Sequence, residues 1–384
     1  MLNRSKTVAL IVATLLAACS HGSTVPAPSN PIAERSASQL SLSSSAVITG
    51  NFTEYALPAG VNPSDLAHGP YDTLWFTQFP VTAFPPPPGK VWQMVKTTGN
   101  LHAFTAGFVP GAIPPTPFSN AFSSPIFSAG RAIWFLLLGT QDNVFLTRLT
   151  PEGAFSYTPD NAGASYTNFT LGSDGRVWYG ACDDCGFLNN TIVKSVSGNF
   201  VFGPSLNIGN HVGGAITAGP GGNLYLTVFL NNATPPASNT AVDVISTAGK
   251  LLHTYALPND SSPTGIVTGA DHNLWIADSG TSSRINSIVR MTPTGTVTKY
   301  PLPTANSGVD RITYGADNAL WFTETDANKI GRITTTGQIK EFTIPTAGSQ
   351  PTGIVTCTTE CPPHGGVWFT ETHGDKIGKF VSPL

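Results

Sequence analysis

Four cysteines form two closely spaced pairs that could bind a metal, carry out redox chemistry or cross-link the chain. Cys182 and Cys185 enclose two aspartates, and Cys357 and Cys361 enclose three residues. Four thiolates at such spacings are typical ligands of structural zinc. A redox function of the first pair is disfavoured, because adjacent carboxylates oppose formation of the reactive thiolate. The remaining alternative is one disulfide within each pair, which is the default in an oxidising compartment.

The eight histidines do not form a pattern typical of metal sites. Histidine ligands usually occur at fixed spacing on a helix or beside a nearby carboxylate, and no helix is predicted in this chain. His211 and His373 map to the loop-rich face defined below, but to repeats on nearly opposite sides of the predicted ring. The patterns therefore favour surface side chains at both positions.

A repeat of short strands organises the rest of the chain. Residues 320–345 read as three strands separated by turn clusters, and 311–314 add a fourth strand before them. An aromatic residue on the second strand recurs seven times at spacings of 44 to 59 residues. Such periods are typical of β-propeller blades with four strands each. The sequence therefore predicts an all-β, seven-bladed propeller with antiparallel blades, whose aromatic anchors are Trp75, Trp134, Trp178, Tyr225, Trp275, Trp321 and Trp368.

The two ends of the repeat region are complementary. The last repeat stops after 376–384 and lacks a fourth strand, whereas 50–58, GNFTEYALP, resembles the fourth strand of the sixth repeat, GQIKEFTIP. We therefore predict that residues 51–57 pair with 376–380 and close the ring. Closure would remove sheet edges that otherwise promote aggregation. In the predicted geometry the two cysteine pairs lie in different blades and on opposite faces, which excludes a shared zinc site and favours two local disulfides.

Insertions accumulate on one face of the predicted ring. They comprise 80–90, 107–125, 182–190 and 231–240, whereas most turns on the opposite face are tight. One-sided elaboration indicates a binding face, although loops also drift without function. Aromatic residues in and beside the insertions would suit a peptide, a glycan or an envelope protein; they are Phe79, Phe84, Phe108 and Phe229.

The N-terminus is typical of an exported bacterial lipoprotein. Arg4 and Lys6 precede an apolar run that ends in Leu-Ala-Ala-Cys19, and the run is too short to span a bilayer. The alternative is an ordinary cleaved signal peptide. We predict a signal peptide over 1–19 with lipidation of Cys19, a disordered Ser/Pro-rich tether over 20–45, and a single propeller over 46–384. This organisation indicates the bacterial cell envelope, with a membrane anchor through the lipid.

Composition excludes one class of partner. Net charge is −3, charged residues make up 11 % of the chain, and no run of lysine or arginine exists. Nucleic acid is therefore not expected as a ligand. The high content of Gly (39) and Pro (32) suits a chain with many tight turns. We expect a monomer.

Blades 5–7 resemble the streptogramin B (virginiamycin B) lyase family in amino-acid sequence as well as in the length of the repeat. The resemblance rests on 320–354, LWFTETDANKIGRITTTGQIKEFTIPTAGSQPTGI, on 367–380, VWFTETHGDKIGKF, and on 262–278, SPTGIVTGADHNLWIAD. It implies a seven-bladed propeller that opens a cyclic depsipeptide by elimination, using Mg²⁺ and a histidine. Such chemistry needs a general base near a Cα proton and a cation to stabilise the enolate.

Every catalytic position that the resemblance implies carries a different residue here. The family's Glu-Pro-His-Gly-Ile is Gln350-Pro-Thr352-Gly-Ile in this chain, so a metal ligand and the catalytic histidine are both replaced. A second family histidine corresponds to Asp310, and a tyrosine corresponds to Ser64. A second metal-binding glutamate corresponds to Thr372. Glutamine is neutral and attracts a divalent ion less, and threonine is not a base near pH 7.

A rearranged site is the alternative. Asp310 could replace the base, while Glu371 could bind a metal together with His373 or Gln350. Against this, Glu324 occupies the position of Glu371 in blade 6, which indicates a structural ion pair with Lys329 or Lys376. We therefore predict a binding module whose ligand face includes Ser64, Asp310, Gln350, Thr352 and Glu371. The alternatives are a Mg²⁺-dependent carbon–oxygen lyase that uses Asp310 and His373, and a calcium-dependent lactone hydrolase, for which no carboxylate ring is visible.

Overall fold

A computed structural model gives the protein seven antiparallel sheets. It describes residues 35–36, 39–43, 46–78, 90–105, 126–138, 144–160, 163–184, 190–198, 200–209, 211–230, 239–281, 285–357, 361 and 365–383. Residues 35–36, 39–43, 138, 163–167, 182–184 and 190 are described through their backbone alone. No helix in these ranges is long and apolar enough to span a membrane.

Each sheet is built on one blade, and in blades 1 to 6 the four blade strands follow one another in chain order. Blade 1 contains Pro63–Gly69, Thr73–Gln78, Lys90–Val95 and Asn100–Thr105; blade 2 contains Phe127–Ala129, Ala132–Leu138, Val144–Leu149 and Ala154–Asp160; blade 3 contains Gly163–Leu171, Val177–Asp184, Asn190–Val196 and Phe202–Asn207; blade 4 contains His211–Ala218, Leu224–Leu230, Thr240–Ser246 and Lys250–Ala256. A 3-10 turn, Pro220–Gly222, joins the first two strands of blade 4.

The remaining blades follow the same order. Blade 5 contains Pro263–Thr268, Leu274–Asp278, Ser287–Met291 and Val297–Pro301; blade 6 contains Val309–Tyr314, Leu320–Glu324, Lys329–Ile333 and Ile339–Thr343; blade 7 contains Pro351–Thr356, Gly366–Glu371, Lys376–Val381 and Phe52–Ala56. The first strands of the seven blades contact one another in a closed ring. The predicted seven-bladed, all-β propeller is confirmed.

The strand Phe52–Ala56, hereafter the closing strand, completes blade 7 as predicted. It pairs antiparallel with Lys376–Val381, in a register that places Phe52 opposite Phe380 and Ala56 opposite Lys376. Asp375 fixes the chain that follows: its carboxylate accepts hydrogen bonds from the N–H groups of Gly60 and Asn62, both at 2.7 Å. The two ends of the domain are therefore joined by main-chain and side-chain bonds.

The N-terminal segment adds strands to the rim of the ring. Ala46–Thr49 forms a hairpin with the closing strand, Gln39–Ser43 pairs with the outer strand of blade 1, and Arg35–Ser36 pairs with that of blade 2. Residues 35–36 and 39–43, which belong to the predicted tether, thus form short strands on the rim. Outer strands present unpaired N–H and C=O groups, which even a short polar segment can bond. Cys19 lies outside the described residues.

The aromatic anchors form the contacts between blades. All seven are at most 2 % exposed. Trp321, for example, packs with Phe369 and Phe380 of blade 7, and its indole N–H donates to Asp317 Oδ1 at 3.1 Å. A large ring with one satisfied donor is well suited to a buried sheet-to-sheet contact. Gly378 allows this packing, because a Cβ at that position would lie 2.1 Å from the ring of Phe369.

One of the two expected disulfides is described. Cys357 and Cys361 are bonded, with their Cα atoms 5.6 Å apart, in the connection between the first two strands of blade 7. Cys357 is buried. The bond to Cys185 expected for Cys182 lies outside the described residues.

Candidate functional site

The first strands of blades 1, 6 and 7 carry a bulge where the predicted site residues occur. Ladder pairing skips 64–65, 310–311 and 352–353, so that an extra residue interrupts each strand. A bulge bends the strand and redirects side chains, and bulges are frequent beside functional sites. Ser64, Asp310 and Thr352 therefore share one kind of backbone position on the inner wall of the ring. Gln350 precedes the third bulge, with φ of 51°.

In blade 7 this position belongs to a hydroxyl cluster, which consists of Thr352, Thr370 and Thr372. The Thr352 hydroxyl donates to the main-chain oxygen of Ser64 at 2.6 Å and lies 2.9 and 2.8 Å from the other two hydroxyls. Thr370 donates to the same oxygen at 3.1 Å, and Thr372 donates to that of Pro63 at 2.7 Å. The threonine cluster thus bonds blade 7 to blade 1.

The same joint occurs one blade earlier. Thr323 donates to the main-chain oxygen of Thr352 at 2.9 Å, and Thr325 donates to that of Pro351 at 2.6 Å. Thr323 and Thr325 occupy in blade 6 the positions of Thr370 and Thr372 in blade 7. Thr372 is therefore the ordinary residue of this repeat, used to join neighbouring blades.

Three charged residues occupy the equivalent bulges of blades 1 and 6. Asp65, Asp310 and Arg311, hereafter the channel cluster, are each partly accessible to solvent. They interact electrostatically although blade 7 separates their strands. Gly353 lies between them, and a Cβ there would come within 2.9 Å of Asp65 Oδ1. The missing side chain of Gly353 therefore leaves room for the Asp65 carboxylate beside blade 7.

Burial and mutual charge set the protonation of the channel cluster. Burial raises the pKa of Asp310 and the charge of Arg311 opposes this rise. Burial likewise raises the pKa of Asp65, against Arg311 and a 2.9 Å hydrogen bond from the N–H of Leu66. Burial would lower the pKa of Arg311, but the two carboxylates raise it overall. Arg311 is thus held cationic between two acids.

Asp65 has a structural function that does not require its charge. Its carboxylate accepts a hydrogen bond from the N–H of Ile126 in blade 2. The amide oxygen of Asn168 in blade 3 makes the same contact with the N–H of Ile216 in blade 4, at 2.5 Å. A neutral acceptor therefore suffices for this joint between first strands, and the negative charge of Asp65 is an additional feature.

Glu371 lies inside the sheet-to-sheet contact. It is fully buried, and neither carboxyl oxygen has a hydrogen-bond partner within the described ranges. Burial, followed by the nearby Glu54, raises its pKa to about 7, while the neighbouring Ser349 hydroxyl and then Lys376 partly oppose the rise. Glu324 is buried in the same way, and its pKa is also raised to about 7.

The expected ion pairs of these two glutamates are not formed. Lys376 pairs with Glu54 at 2.9 Å, and Lys329 pairs with Glu341 at 2.8 Å. The two lysines therefore lie near the glutamates for which they were predicted, but they bond glutamates of the neighbouring outer strands. Lys376 is opposite Glu371 in the strand ladder and Lys329 is opposite Glu324, but each lysine bonds the glutamate of the fourth strand instead.

His373 and Asp310 are not brought together by any contact of the described residues. His373 is exposed in the turn after the second strand of blade 7, and its main-chain N–H donates to the oxygen of Ser349 at 2.9 Å. Over the described ranges, no three His, Cys, Asp or Glu side chains cluster as a metal site would require. Gln350 contacts the end of the strand that carries Glu371 through its main chain. The N–H of Thr372 donates to the carbonyl oxygen of Gln350 at 3.4 Å.

Sequence reasoning missed several polar residues of the inner wall and the blade contacts. Asp65 and Arg311 directly follow two predicted positions, and a search for charged neighbours of Ser64 and Asp310 would have found them. His211 was interpreted as a surface side chain, yet its Nδ1 lies 2.8 Å from the buried carboxylate of Asp243. Phe229 is partly buried on its strand. The other aromatic residues proposed for binding, Phe79, Phe84 and Phe108, lie outside the described residues.

Comparison with known proteins agrees with the fold. Residues 234–382 match the model of the virginiamycin B lyase family. A virginiamycin B lyase from Staphylococcus aureus is similar at 22 % identity and a TM-score of 0.65, covering 86 % of this chain and 99 % of its own. The catalytically inactive H270A form of that enzyme with quinupristin is similar at 23 % identity, a TM-score of 0.66 and the same coverage.

Two further comparisons bear on the extent of the likeness. A streptogramin B lyase structure is similar at 26 % identity and a TM-score of 0.63, covering 85 % of this chain and 96 % of its own. An oligogalacturonate lyase in complex with manganese shares the fold at 13 % identity and a TM-score of 0.58, covering 91 % of this chain and 98 % of its own. No curated protein matches the sequence.

Proposed function

The chain is a virginiamycin B lyase-like seven-bladed β-propeller, and from this premise we propose that it is a binding module rather than a lyase. The module binds its ligand at the inner wall of the ring, where blades 6, 7 and 1 meet. Proteins that share a fold can differ in activity, so the function depends on the side chains at specific positions.

The threonine cluster is the observation that carries this proposal. The two positions at which the resemblance implies a catalytic histidine and a metal-binding glutamate are Thr352 and Thr372. Both hydroxyls are committed to main-chain oxygens of blade 1, at 2.6 and 2.7 Å. A threonine hydroxyl without an adjacent base does not remove a Cα proton near pH 7. These side chains therefore support the ring and are not available for proton transfer.

The residues available for magnesium do not fit that ion. Mg²⁺ prefers ionised oxygen ligands in octahedral geometry. Glu371 is fully buried, its pKa is raised to about 7, and Lys376 is among the charges that act on it. Gln350 would add a neutral ligand only. We therefore derive no step through a metal at this position.

The channel cluster supplies the binding chemistry. Asp310 and Arg311 are partly accessible, oppositely charged and adjacent on one strand. Their bulge places them on the ring's inner wall, where the walls on all sides exclude part of the solvent and strengthen electrostatic contacts. A ligand that reaches this wall meets acceptors and donors that the protein itself has not satisfied.

A carbon–oxygen lyase with a rebuilt site is the second candidate. One observation favours it: Asp310 is accessible, and its pKa is raised, as suits a general base. Among the described residues, Asp310 does not contact His373, the histidine expected to act with it. His373 is exposed in the turn after the second strand of blade 7. The candidate therefore rests on Asp310 alone.

The cellular setting is part of the proposal. The signal-like segment 1–19 supports export and lipidation at Cys19, which would hold the propeller at a bacterial envelope membrane. A peptide, a glycan or an envelope protein then becomes the accessible ligand, and a monomer suffices. Globomycin-sensitive labelling of the protein with a radioactive fatty acid, lost in Cys19→Ala, tests the anchor.

A ring-opening assay tests the proposed function. Purified protein, Mg²⁺ and a streptogramin B depsipeptide are incubated and analysed by mass spectrometry after derivatisation of free ends. We expect the cyclic compound to remain intact. A linear product of unchanged mass that disappears in Asp310→Ala, but persists in His211→Gln on blade 4, would overturn the proposal in favour of the lyase.

A further inference from the structure

The guanidinium of Arg311 has no partner among the described residues. It forms neither a hydrogen bond nor an ion pair with them, although Asp310 and Asp65 both act on its charge. Arg332 and Arg176 differ, because Arg332 donates to Asp317 at 2.8 Å and Arg176 donates to the carbonyl oxygen of Val201 at 3.1 Å. A guanidinium carries five N–H donors, and leaving them unbonded on a partly desolvated wall is unfavourable. Arg311 is therefore available to an incoming group.

The carboxylate of Asp310 is also available to an incoming group. No hydrogen bond to its carboxylate is formed by the described part of the chain; burial raises its pKa and the charge of Arg311 lowers it. Asp65 differs, because two main-chain N–H groups already bond its carboxylate. The wall thus presents one free cation and one free anion on consecutive residues, with a second, partly satisfied anion opposite.

We propose that the channel cluster binds a zwitterionic amino-acid head group, with the ligand carboxylate on Arg311 and the ligand ammonium on Asp310. This rests on the proposed function and names its ligand class. A guanidinium recognises a carboxylate through two parallel hydrogen bonds, and a carboxylate accepts from an ammonium group at short range. The ligand is a free amino acid or the end of a short peptide that retains both charges.

Charge balance selects this class over simpler ions. A ligand with a carboxylate alone would bring a third negative charge beside Asp65 and Asp310. A ligand with an ammonium alone would leave Arg311 unbonded and would be repelled by it. A zwitterion satisfies both free groups without changing the net charge of the wall, and like-charge juxtaposition in low dielectric is costly.

Matched small molecules test the class. The full mature chain is titrated at low salt with alanine and alanyl-alanine by ligand-observed NMR and calorimetry. The same measurements use N-acetylalanine, which lacks the ammonium, alanine amide, which lacks the carboxylate, and galacturonate, which carries a carboxylate with hydroxyls. We expect binding of the zwitterions, and for each single-group analogue roughly tenfold weaker binding or none, as loss of a charge-assisted hydrogen bond implies.

Variants assign the binding to the cluster. Arg311→Gln and Asp310→Asn should each weaken alanine binding by about tenfold or more, while Arg311→Lys should restore part of it because the charge is kept. Arg332→Gln, in the outer part of blade 6, is the matched control and should bind normally. Thermal melts check folding, and if Arg311→Gln unfolds, Asp310→Asn and Arg311→Lys carry the test.

The outcomes separate this inference from the proposed function. If galacturonate or N-acetylalanine binds in an Arg311-dependent manner and alanine does not, the zwitterion class is wrong and the binding module stands. If the wild-type chain binds no probe up to about 10 mM, the limit of weak affinity, the zwitterion class is also wrong. If the depsipeptide ring is opened, the proposed function fails instead.

Discussion

Glu54 on the closing strand lies beside the buried Glu371 of blade 7, and only Glu54 has a cationic partner. Lys376 bonds Glu54 at 2.9 Å, while both oxygens of Glu371 are without a hydrogen bond. The Ser349 hydroxyl also lies near this carboxyl but donates to Asn328 at 2.8 Å. Two acids and one lysine therefore meet where the ring is closed, and one of the acids is favoured in its neutral form.

Stability should fall as pH rises through the range in which Glu371 and Glu324 ionise. Their pKa values are raised from 4.5 to about 7, so between these values the folded chain holds protons that the unfolded chain has released. Stability from this source is complete below about pH 4.5 and lost by about pH 7. The slope is at most about 1.4 kcal/mol per pH unit for each group. Thermal melts from pH 5 to pH 8 measure it.

Glu371→Gln should remove part of that slope and raise the melting temperature at pH 8. The amide fills the same space without a charge beside Glu54. Glu324→Gln is the matched control in blade 6, where Glu341 and Lys329 reproduce the arrangement without the closing strand. The two variants should act additively. A pH profile that neither variant changes would refute the assignment.

Asp375 should contribute to ring closure through its two bonds to the main chain. Asp375→Ala removes both acceptors for Gly60 and Asn62, and it also places alanine at φ of 48°. We expect a loss of about 1–3 kcal/mol in the free energy of unfolding. Denaturant unfolding measures it. Asp375→Asn keeps one acceptor and tolerates the same backbone conformation, so it should lose clearly less; equal losses would contradict the argument.

The threonine cluster should stabilise the junction of blades 7 and 1. Thr352→Val keeps the shape but removes the hydroxyl that bonds Ser64, so we expect a loss of about 1–3 kcal/mol. Thr352→Ser retains the hydroxyl and should lose less. Thr264→Val in blade 5 is the comparison, because Thr264 makes only longer bonds, at 3.2 and 3.3 Å. A loss at Thr264 that equals the loss at Thr352 would show that the cluster has no special function.

Arg311 should govern the ionisation of the channel cluster. Its charge lowers the pKa of Asp310 and of Asp65 against the effect of burial. Arg311→Gln should therefore raise both values, most clearly at Asp310, which has no main-chain donors. Carboxyl-carbon NMR titration measures the change. An unchanged Asp310 titration would show that the guanidinium lies too far away, and the ligand class inferred above would fail with it.

The repeat is predictable from the sequence because it depends on local patterns. Seven buried aromatic anchors and their turns predict seven blades, and the likeness of 50–58 to a fourth strand predicts closure. Both were correct, since hydrophobic alternation and turn chemistry act within a few residues. The strands at 35–43 were not predicted, because QLSLS gains a partner only where the rim of the ring offers an unpaired edge.

What the sequence alone determined is the number of blades and the strand that closes the ring, together with the threonine and aspartate residues that stand where the resemblance implies catalytic ones. What only the tertiary structure decided is which charges meet. Arg311 and Asp65 influence each other's charge although they belong to blades 6 and 1, and Lys376 bonds Glu54, 322 positions away, in place of Glu371. Curvature of the ring and the bulges in its first strands set those distances, and neither is encoded by spacing along the chain.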